Sequence, residues 1–143
     1  MKFEVFIDSD IILDVLAMRE PFYRPAATLF TLIEEGKVEG FTSPIVFSNI
    51  HYVMSKRMTK ENTLKALKFL KTAVRILAVD QRIVELALDS SFDDFEDAMQ
   101  HYCAEQNGLR YLITRNKKDY KKAEIDVLSA HEYLTMLRTL DKN

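Results

Sequence analysis

Short apolar runs alternate along the chain with segments of helical periodicity, and this alternation constrains the fold more than any other feature. Apolar runs predict strands at 3–7, 37–43, 74–79, 110–114 and 125–129. Helices are predicted between most of these runs and after the last one, from the spacing of apolar residues and from starting residues such as Pro44, Thr59 and Asp80. Strands separated by helices favour an α/β fold, with a parallel sheet and helices on both of its faces.

Composition and charge exclude several classes of protein. The 143 residues predict one domain over 1–143, and 48% hydrophobic with 29% charged residues is ordinary for a globular protein. No apolar run approaches the roughly 20 residues of a membrane span, and the only cysteine is Cys103. We therefore expect a cytoplasmic protein with no membrane association. The net charge of −2 argues against a protein that coats nucleic acid, but it allows a local basic rim.

Acidic and amide side chains follow the predicted strands where those strands end. Asp8 and Asp10 come directly after the first apolar run, and Asn116 and Asp119 follow the fourth, where Asp119 is predicted to lie in a polar loop. In open parallel sheets, ligands bind beyond the carboxyl ends of the strands, so we expect these side chains to lie close together. The amino ends of the intervening helices share this edge and add Asn49, Asp94 and Asp97. Asp14 is predicted to lie on a helix surface.

The helix before the fourth strand presents several acids. Asp93 and Glu96 have the spacing of a capping box, which predicts the start of this helix. At ~100° per residue, Asp94, Asp97 and His101 fall within an arc of about 60°. Asp97 is thus at the edge of the buried stripe, where capping does not explain it, and Glu96 is predicted to point away.

Several carboxylates at one edge repel one another, and a divalent cation among them would remove that repulsion. Oxygen ligands from Asp and Asn suit Mg²⁺ or Mn²⁺, and the sequence offers no Cys/His pattern for zinc. Such acid clusters with Mg²⁺ or Mn²⁺ perform phosphoryl-transfer and phosphodiester chemistry. A basic segment suited to phosphates borders the acids, with Arg115, Lys117, Lys118, Lys121 and Lys122. It could be extended by Arg19, Arg24, Lys56 and Arg57.

Three motifs in this order resemble the PIN domain family, in particular the prokaryotic branch that includes the VapC-like toxins. They are "FIDSDIILD", "DDFEDAMQ" and "YLITRNKKDY", and the similarity extends to "LSAHEYL" near the end of the chain. The resemblance implies a three-layer α/β/α sandwich around a parallel sheet. It also implies cleavage of single-stranded RNA that depends on Mg²⁺ or Mn²⁺, an antitoxin protein that inhibits the toxin, and a homodimer.

The resemblance also assigns roles to residues. It makes Asp8 the first metal ligand, Asp97 the mid-chain ligand and Asp119 the late acid, and these act with Asn116, where many members have Asp. Asn49 stands where many members have Glu, so this chain carries less negative charge, and we expect one firmly bound metal, with a second recruited, if at all, together with the substrate. Substrate binding is assigned to Asp10, Asn49, Asp94, Arg115, Lys117 and Lys118.

Two alternatives remain open at this point. "FIDSDII" also resembles the nucleophile motif of haloacid-dehalogenase-type phosphatases, in which Asp8 would attack phosphate and Asp10 would protonate the leaving group. Against this alternative, the paired acids at 93–94 precede the fourth strand, whereas that family places them after it. A degenerate PIN module that binds RNA or a protein without catalysis is favoured by Asn49 and Asn116.

Overall fold

The computed structural model describes residues 3–141 and contains five strands and seven α-helices within that range. The strands are β1 (Phe3–Ile7), β2 (Val38–Thr42), β3 (Arg75–Ile76), β4 (Tyr111–Ile113) and β5 (Asp126–Leu128). The helices are α1 (Ser9–Leu16), α2 (Tyr23–Glu34), α3 (Pro44–Met54), α4 (Lys60–Ala73), α5 (Gln81–Leu88), α6 (Phe95–Gln106) and α7 (Ala130–Asp141). None of these helices has the length and apolar character needed to cross a membrane.

The five strands form one parallel sheet in the order β3-β2-β1-β4-β5. The central strand β1 pairs on both sides, with Phe6 opposite Phe41 of β2 and opposite Leu112 of β4. Val5, Phe6 and Ile7 are fully buried, as expected for a central strand covered on both faces. The predicted α/β/α fold with a parallel sheet is therefore confirmed.

Apolar helix faces cover the sheet and bring the helix starts to one edge. Helix α1 packs against α2 and α3, while α5 packs against α6, and α6 contacts β4. The caps follow the predictions at two helices, because Thr59 accepts a hydrogen bond from Asn62 N and Asp80 accepts one from Ile83 N. The carboxyl ends of β1 and β4 and the amino end of α6 consequently border the same region.

Three local predictions differ from the structure. Strand β3 contains two paired residues rather than six, because it is the edge strand and both of its side chains are exposed. Helix α6 begins after Asp94, not Asp93, since the Asp94 side chain accepts a hydrogen bond from Asp97 N at 2.9 Å. The polar segment after β4 forms a 3₁₀ turn over Lys117–Tyr120 rather than an open loop.

Candidate functional site

Asp8 lies where β1 ends and α1 begins, and its carboxylate is held by three donors. Oδ1 accepts a hydrogen bond from Ser9 N at 2.7 Å and so caps α1. Oδ2 accepts hydrogen bonds from the hydroxyls of Thr114 and Tyr120, each at 3.0 Å. The donors come from α1, from the end of β4 and from the 3₁₀ turn, so Asp8, which lies at the predicted edge of the sheet, is fixed from three sides.

Asp10 shares its hydroxyl donor with Asp8. Its Oδ2 lies 3.2 Å from the Thr114 hydroxyl, which has one proton for two carboxylates, and it accepts a second hydrogen bond from Arg115 N at 2.9 Å. Its Oδ1 is buried and has no hydrogen-bond partner within residues 3–141. Because an unsatisfied buried carboxylate oxygen is costly, this atom is a candidate ligand for a cation.

Asp97 lies in the first turn of α6, is half-buried, and is close to acids of the other elements. Its carboxylate interacts with those of Asp94, Asp8 and Asp119 and with the Tyr120 hydroxyl. The helical-wheel prediction for this residue therefore agrees with its placement. Asp94 caps the helix and is exposed, so local structure accounts for its position.

The pKa values of the clustered acids are raised for two physical reasons. Burial, together with the neighbouring carboxylates of Asp94, Asp8 and Asp119, raises the pKa of Asp97 from 3.8 to about 7. Burial and the adjacent Asp10 raise the pKa of Asp8 to about 6. Burial also raises the pKa of Asp10, although Arg115 opposes this shift. The charged forms of these groups are therefore disfavoured, because the protein itself does not fully neutralise their negative charge.

Glu96 lies in the site, contrary to the prediction that it points away. Its Oε1 accepts a hydrogen bond from the side-chain amide of Asn49, which also lies 3.4 Å from the Ser9 hydroxyl. Both residues line one cleft with Asp8, Asp10 and Asp97, which we call the acidic cleft; its other lining residues are Ser9, Leu13, Arg19, Arg115 and Asn116. The helical wheel of α6 alone missed Glu96 because its partner comes from α3.

Asp14 is fully buried, so its predicted place on a helix surface is wrong. Its carboxylate accepts hydrogen bonds from the guanidinium groups of Arg19 and Arg115, and these two cations offset the cost of burying it. Neither partner is spaced in a pattern that the sequence reveals, because Arg19 is five residues away and Arg115 is 101 residues away.

The remaining predicted site residues divide into two groups. Asn116 lines the acidic cleft, and Asp119, although exposed, is close enough to raise the pKa of Asp97. Lys117 instead forms an ion pair with Glu132 of α7 at 2.9 Å, and Lys118 is exposed in the 3₁₀ turn. Arg115 therefore lines the cleft, whereas Lys117 and Lys118 lie at its border.

Sequence reasoning also missed two uncharged members of the site. Thr114 is fully buried and joins Asp8 to Asp10, and Tyr120 is buried and donates a hydrogen bond to Asp8. Both lie inside the quoted segment "YLITRNKKDY", but only its charged and amide residues were assigned roles. Thr114 and Tyr120 each carry a hydroxyl in the segment that follows β4. A search of this segment for side-chain hydrogen-bond donors to the acids would have found both.

His101 is a buried structural residue and not a base facing the cleft. Its Nε2 accepts a hydrogen bond from Glu124 N at 2.9 Å, and burial lowers its pKa. The ring also packs against Phe92 and Tyr102. His101 therefore fixes the segment between the 3₁₀ turn and β5 against α6.

The donor set fits a hard divalent cation, although the ligands are not arranged as a finished cage. Within residues 3–141, no three His, Cys, Asp or Glu side chains form a group that could hold a metal ion as they stand. The partnerless Asp10 Oδ1 and the raised pKa values of Asp8 and Asp97 show where positive charge is lacking. Carboxylate and amide oxygens are the ligands of Mg²⁺ and Mn²⁺.

Comparison with known proteins agrees with this architecture. The sequence profile described as "PIN domain" matches residues 4–118, so the chain belongs to the PIN domain family. Ribonuclease VapC1 of Aquifex aeolicus (strain VF5) is 27% identical over 142 residues, which cover 96% of this chain and 97% of that protein. This membership favours the PIN interpretation over the dehalogenase-type phosphatase.

Two solved structures share the fold. A toxin–antitoxin complex from Klebsiella pneumoniae contains a chain with a TM-score of 0.66 and 23% identity, and the match covers 88% of this chain and 97% of that one. VapC20 of Mycobacterium tuberculosis, described as a sarcin-ricin loop cleaving toxin, has a TM-score of 0.64 and 16% identity over 85% of this chain and 98% of that one.

Proposed function

We propose that this protein is an endoribonuclease that cleaves single-stranded RNA with Mg²⁺ or Mn²⁺. The observation that carries the proposal is the meeting of Asp8 and Asp10, from the end of β1, with Asp97 of α6 in one cleft. The similarity to a protein named as a ribonuclease supports the same reaction. The substrate is anionic, and the cationic Arg115 and Arg19 line the same cleft.

The roles follow from the contacts. Asp8 and Asp97 would hold the cation, and Asp119 would complete the set directly or through water. Thr114 and Tyr120 donate to Asp8 and so orient its carboxylate. When bound, a divalent cation lowers the pKa of a water molecule and neutralises charge that develops on the phosphate.

Asn116 and Asn49 lie in the cleft, so their amides can meet the RNA rather than add negative charge to the site. Asp10 borders the same region and is the acid whose Oδ1 has no partner. Arg115 is placed to meet a phosphate. Lys118, exposed beside the cleft, adds to the attraction for the RNA backbone, whereas Lys117 does so only if it leaves Glu132.

We test the proposal by following cleavage of a single-stranded RNA library with Mg²⁺ or Mn²⁺. Losing an outer-shell partner of a metal ligand typically costs 10–100-fold, so Asp8→Asn and Asp97→Asn are expected to lower the rate by at least about 100-fold. Asp93→Asn is the matched control, because Asp93 is exposed and lies just outside α6. Unchanged cleavage in both cleft variants would exclude this mechanism.

A second candidate is a PIN module that binds RNA or protein without catalysis. It is favoured by the amides at Asn49 and Asn116 and by the lack of a preformed three-ligand group within residues 3–141. Such a module gains no thermal stability from Mn²⁺, whereas a specific site does. A thermal unfolding titration with Mn²⁺ separates the two candidates before any RNA is used.

We further propose that the protein acts in the cytoplasm as the toxin of a toxin–antitoxin pair, and that it forms a homodimer. The solved toxin–antitoxin complex with this fold supports an antitoxin partner. An antitoxin would inhibit by covering the acidic cleft. Light scattering on the purified chain tests the homodimer, and loss of cleavage on adding the product of the adjacent gene tests the pair.

A further inference from the structure

Asp14, Arg19 and Arg115 form a compact charged unit beside the acidic cleft, and we call it the Asp14 unit. Asp14 Oδ1 accepts from Arg19 Nε at 3.0 Å and from Arg115 Nη2 at 3.1 Å, while Oδ2 accepts from Arg115 Nε at 2.8 Å. The Asp14 side chain is only 1% exposed. Both carboxylate oxygens are therefore engaged by the two guanidinium groups, and Asp14 and Arg115 also line a second cavity with Phe22.

Both guanidinium groups are also fixed by contacts other than Asp14. Arg115 stacks on the ring of Phe22, with the guanidinium carbon 3.8 Å from the ring centroid. Arg19 Nη2 donates to the carbonyl oxygen of Asp10 at 3.1 Å. The side chains of Arg19 and Arg115 have thus already lost much of their rotamer freedom in the folded protein. Binding of an anion therefore costs less conformational entropy.

One arginine would be enough to offset Asp14, because Arg115 alone makes the two parallel hydrogen bonds of a bidentate pair. Arg19 is the second cation on the same carboxylate, so the unit carries a net charge of +1. The Nη1 groups of both arginines make no hydrogen bond to any residue in 3–141. The arginines remain 37% and 29% exposed and line the acidic cleft.

We propose that the Asp14 unit is a binding subsite for a backbone phosphate of single-stranded RNA, next to the phosphate that is cleaved. The assignment rests on the proposed ribonuclease function and adds a residue role to it. The free Nη1 groups of Arg19 and Arg115 contact the phosphate, and Asp14 is a positioning residue that holds them. A planar guanidinium pair matches phosphate oxygens better than flexible lysines at the border of the cleft.

The test measures binding of a 2′-O-methyl oligoribonucleotide, which is not cleaved, at several salt concentrations. Arg19→Met and Arg115→Met are each expected to weaken binding about tenfold or more. Each should also reduce the slope of log K against log salt by about 0.7, the value for one phosphate contact on a single strand. Arg110→Met is the matched control, since Arg110 is exposed, lies just before the amino end of β4 and pairs with Asp126.

Two further variants separate phosphate binding from a purely structural role. Arg19→Met leaves Asp14 its bidentate pair with Arg115, so this variant carries the test even if Arg115→Met does not fold. Arg115→Lys keeps the positive charge but loses the planar guanidinium group with its paired N–H donors. This variant should therefore keep the slope of log K against log salt and still bind the oligonucleotide more weakly. A structural role alone would lower the melting temperature without changing the salt slope.

Cleavage assays distinguish failure of the subsite from failure of the proposed function. The subsite predicts a KM raised about tenfold or more in Arg19→Met, with a kcat closer to the wild type and unchanged stabilisation by Mn²⁺. If the wild type cleaves RNA and both methionine variants keep its KM, affinity and salt slope, the subsite is wrong and the ribonuclease stands. If the wild type neither binds nor cleaves RNA, both proposals are wrong.

Discussion

Replacing Asp97 with Asn should stabilise the metal-free protein while it removes the proposed metal site. The carboxylate is half-buried among three other acids, and its pKa rises from 3.8 to about 7. The Asp97→Asn side chain has the same shape and no charge. The cap of α6 is unaffected, because Asp94 accepts from the backbone N of residue 97 and not from its side chain.

The magnitude follows from the pKa shift. A shift of about 3 units corresponds to about 4 kcal/mol at ~1.36 kcal/mol per unit, which we reduce to roughly 2 kcal/mol because solvent screens this half-buried group. Because the folded pKa is raised, the folded protein holds more protons than the unfolded chain between about pH 4 and pH 7. The contribution of Asp97 to stability is therefore present at about pH 4 and is lost as the pH rises towards 7.

The assay is thermal unfolding in EDTA across this pH range. At pH 8 the Asp97→Asn variant should melt roughly 5–10 °C above the wild type, and the difference should shrink towards about pH 4. Adding Mn²⁺ reverses the order, because a ligand at 100 times its Kd adds about 2.7 kcal/mol to the wild type alone. Asp93→Asn, a control at an exposed residue, should have the same melting temperature as the wild type under all of these conditions.

Two results would refute this reasoning about Asp97. If the variant were no more stable than the wild type in EDTA at pH 8, the acids would not repel one another across the cleft. If Mn²⁺ stabilised the variant and the wild type equally, the ion would bind elsewhere.

Three other substitutions or reagents test separate parts of the structure. Asn49→Asp places a second carboxylate beside Glu96, so the metal-free protein should lose about 1–2 kcal/mol at pH 8 and gain more from Mn²⁺ than the wild type does in the same melting assay. Ser43→Ala removes both the cap of α3 and the donor to Gln100 Oε1 at 2.7 Å, so urea unfolding should show a loss of about 2–3 kcal/mol. Burial raises the pKa of the Cys103 thiol to about 11, so iodoacetamide at pH 8 should label it only after denaturation, as mass spectrometry would show.

The sequence predicts those parts of the site that depend on one element at a time. Asp8 could be placed because the apolar run of β1 stops there, and Asp97 because the periodicity of α6 puts it beside the buried stripe. Parallel strands share a carboxyl edge, so the topology brings the two together without any knowledge of side-chain contacts. The fold follows for the same reason, since it depends on the order of elements rather than on their ends.

Contacts between distant elements could not be predicted in this way. A buried charge such as Asp14 looks like any helical acid until Arg115 from the opposite half of the chain is placed against it. The helical wheel predicts that Glu96 points away from the site, and only the tertiary structure places Asn49 of α3 opposite it. In both cases the local preference for an exposed charge is overridden by a partner that only the tertiary structure supplies.

The charge distribution of the cleft gives these observations a common cause. Asp8 and Asp97 hold protons more tightly than free carboxylates, because burial and mutual repulsion disfavour their charged forms. A proton and a divalent cation therefore compete for the same oxygens, and the folded cleft favours whichever of them neutralises more charge. The amides at Asn49 and Asn116 limit how much charge must be neutralised, which supports the proposal of one firmly bound cation. Two arginines share the one carboxylate of Asp14, so that unit keeps a net positive charge, which acts on the neighbouring Asp10 and is available to the proposed RNA substrate.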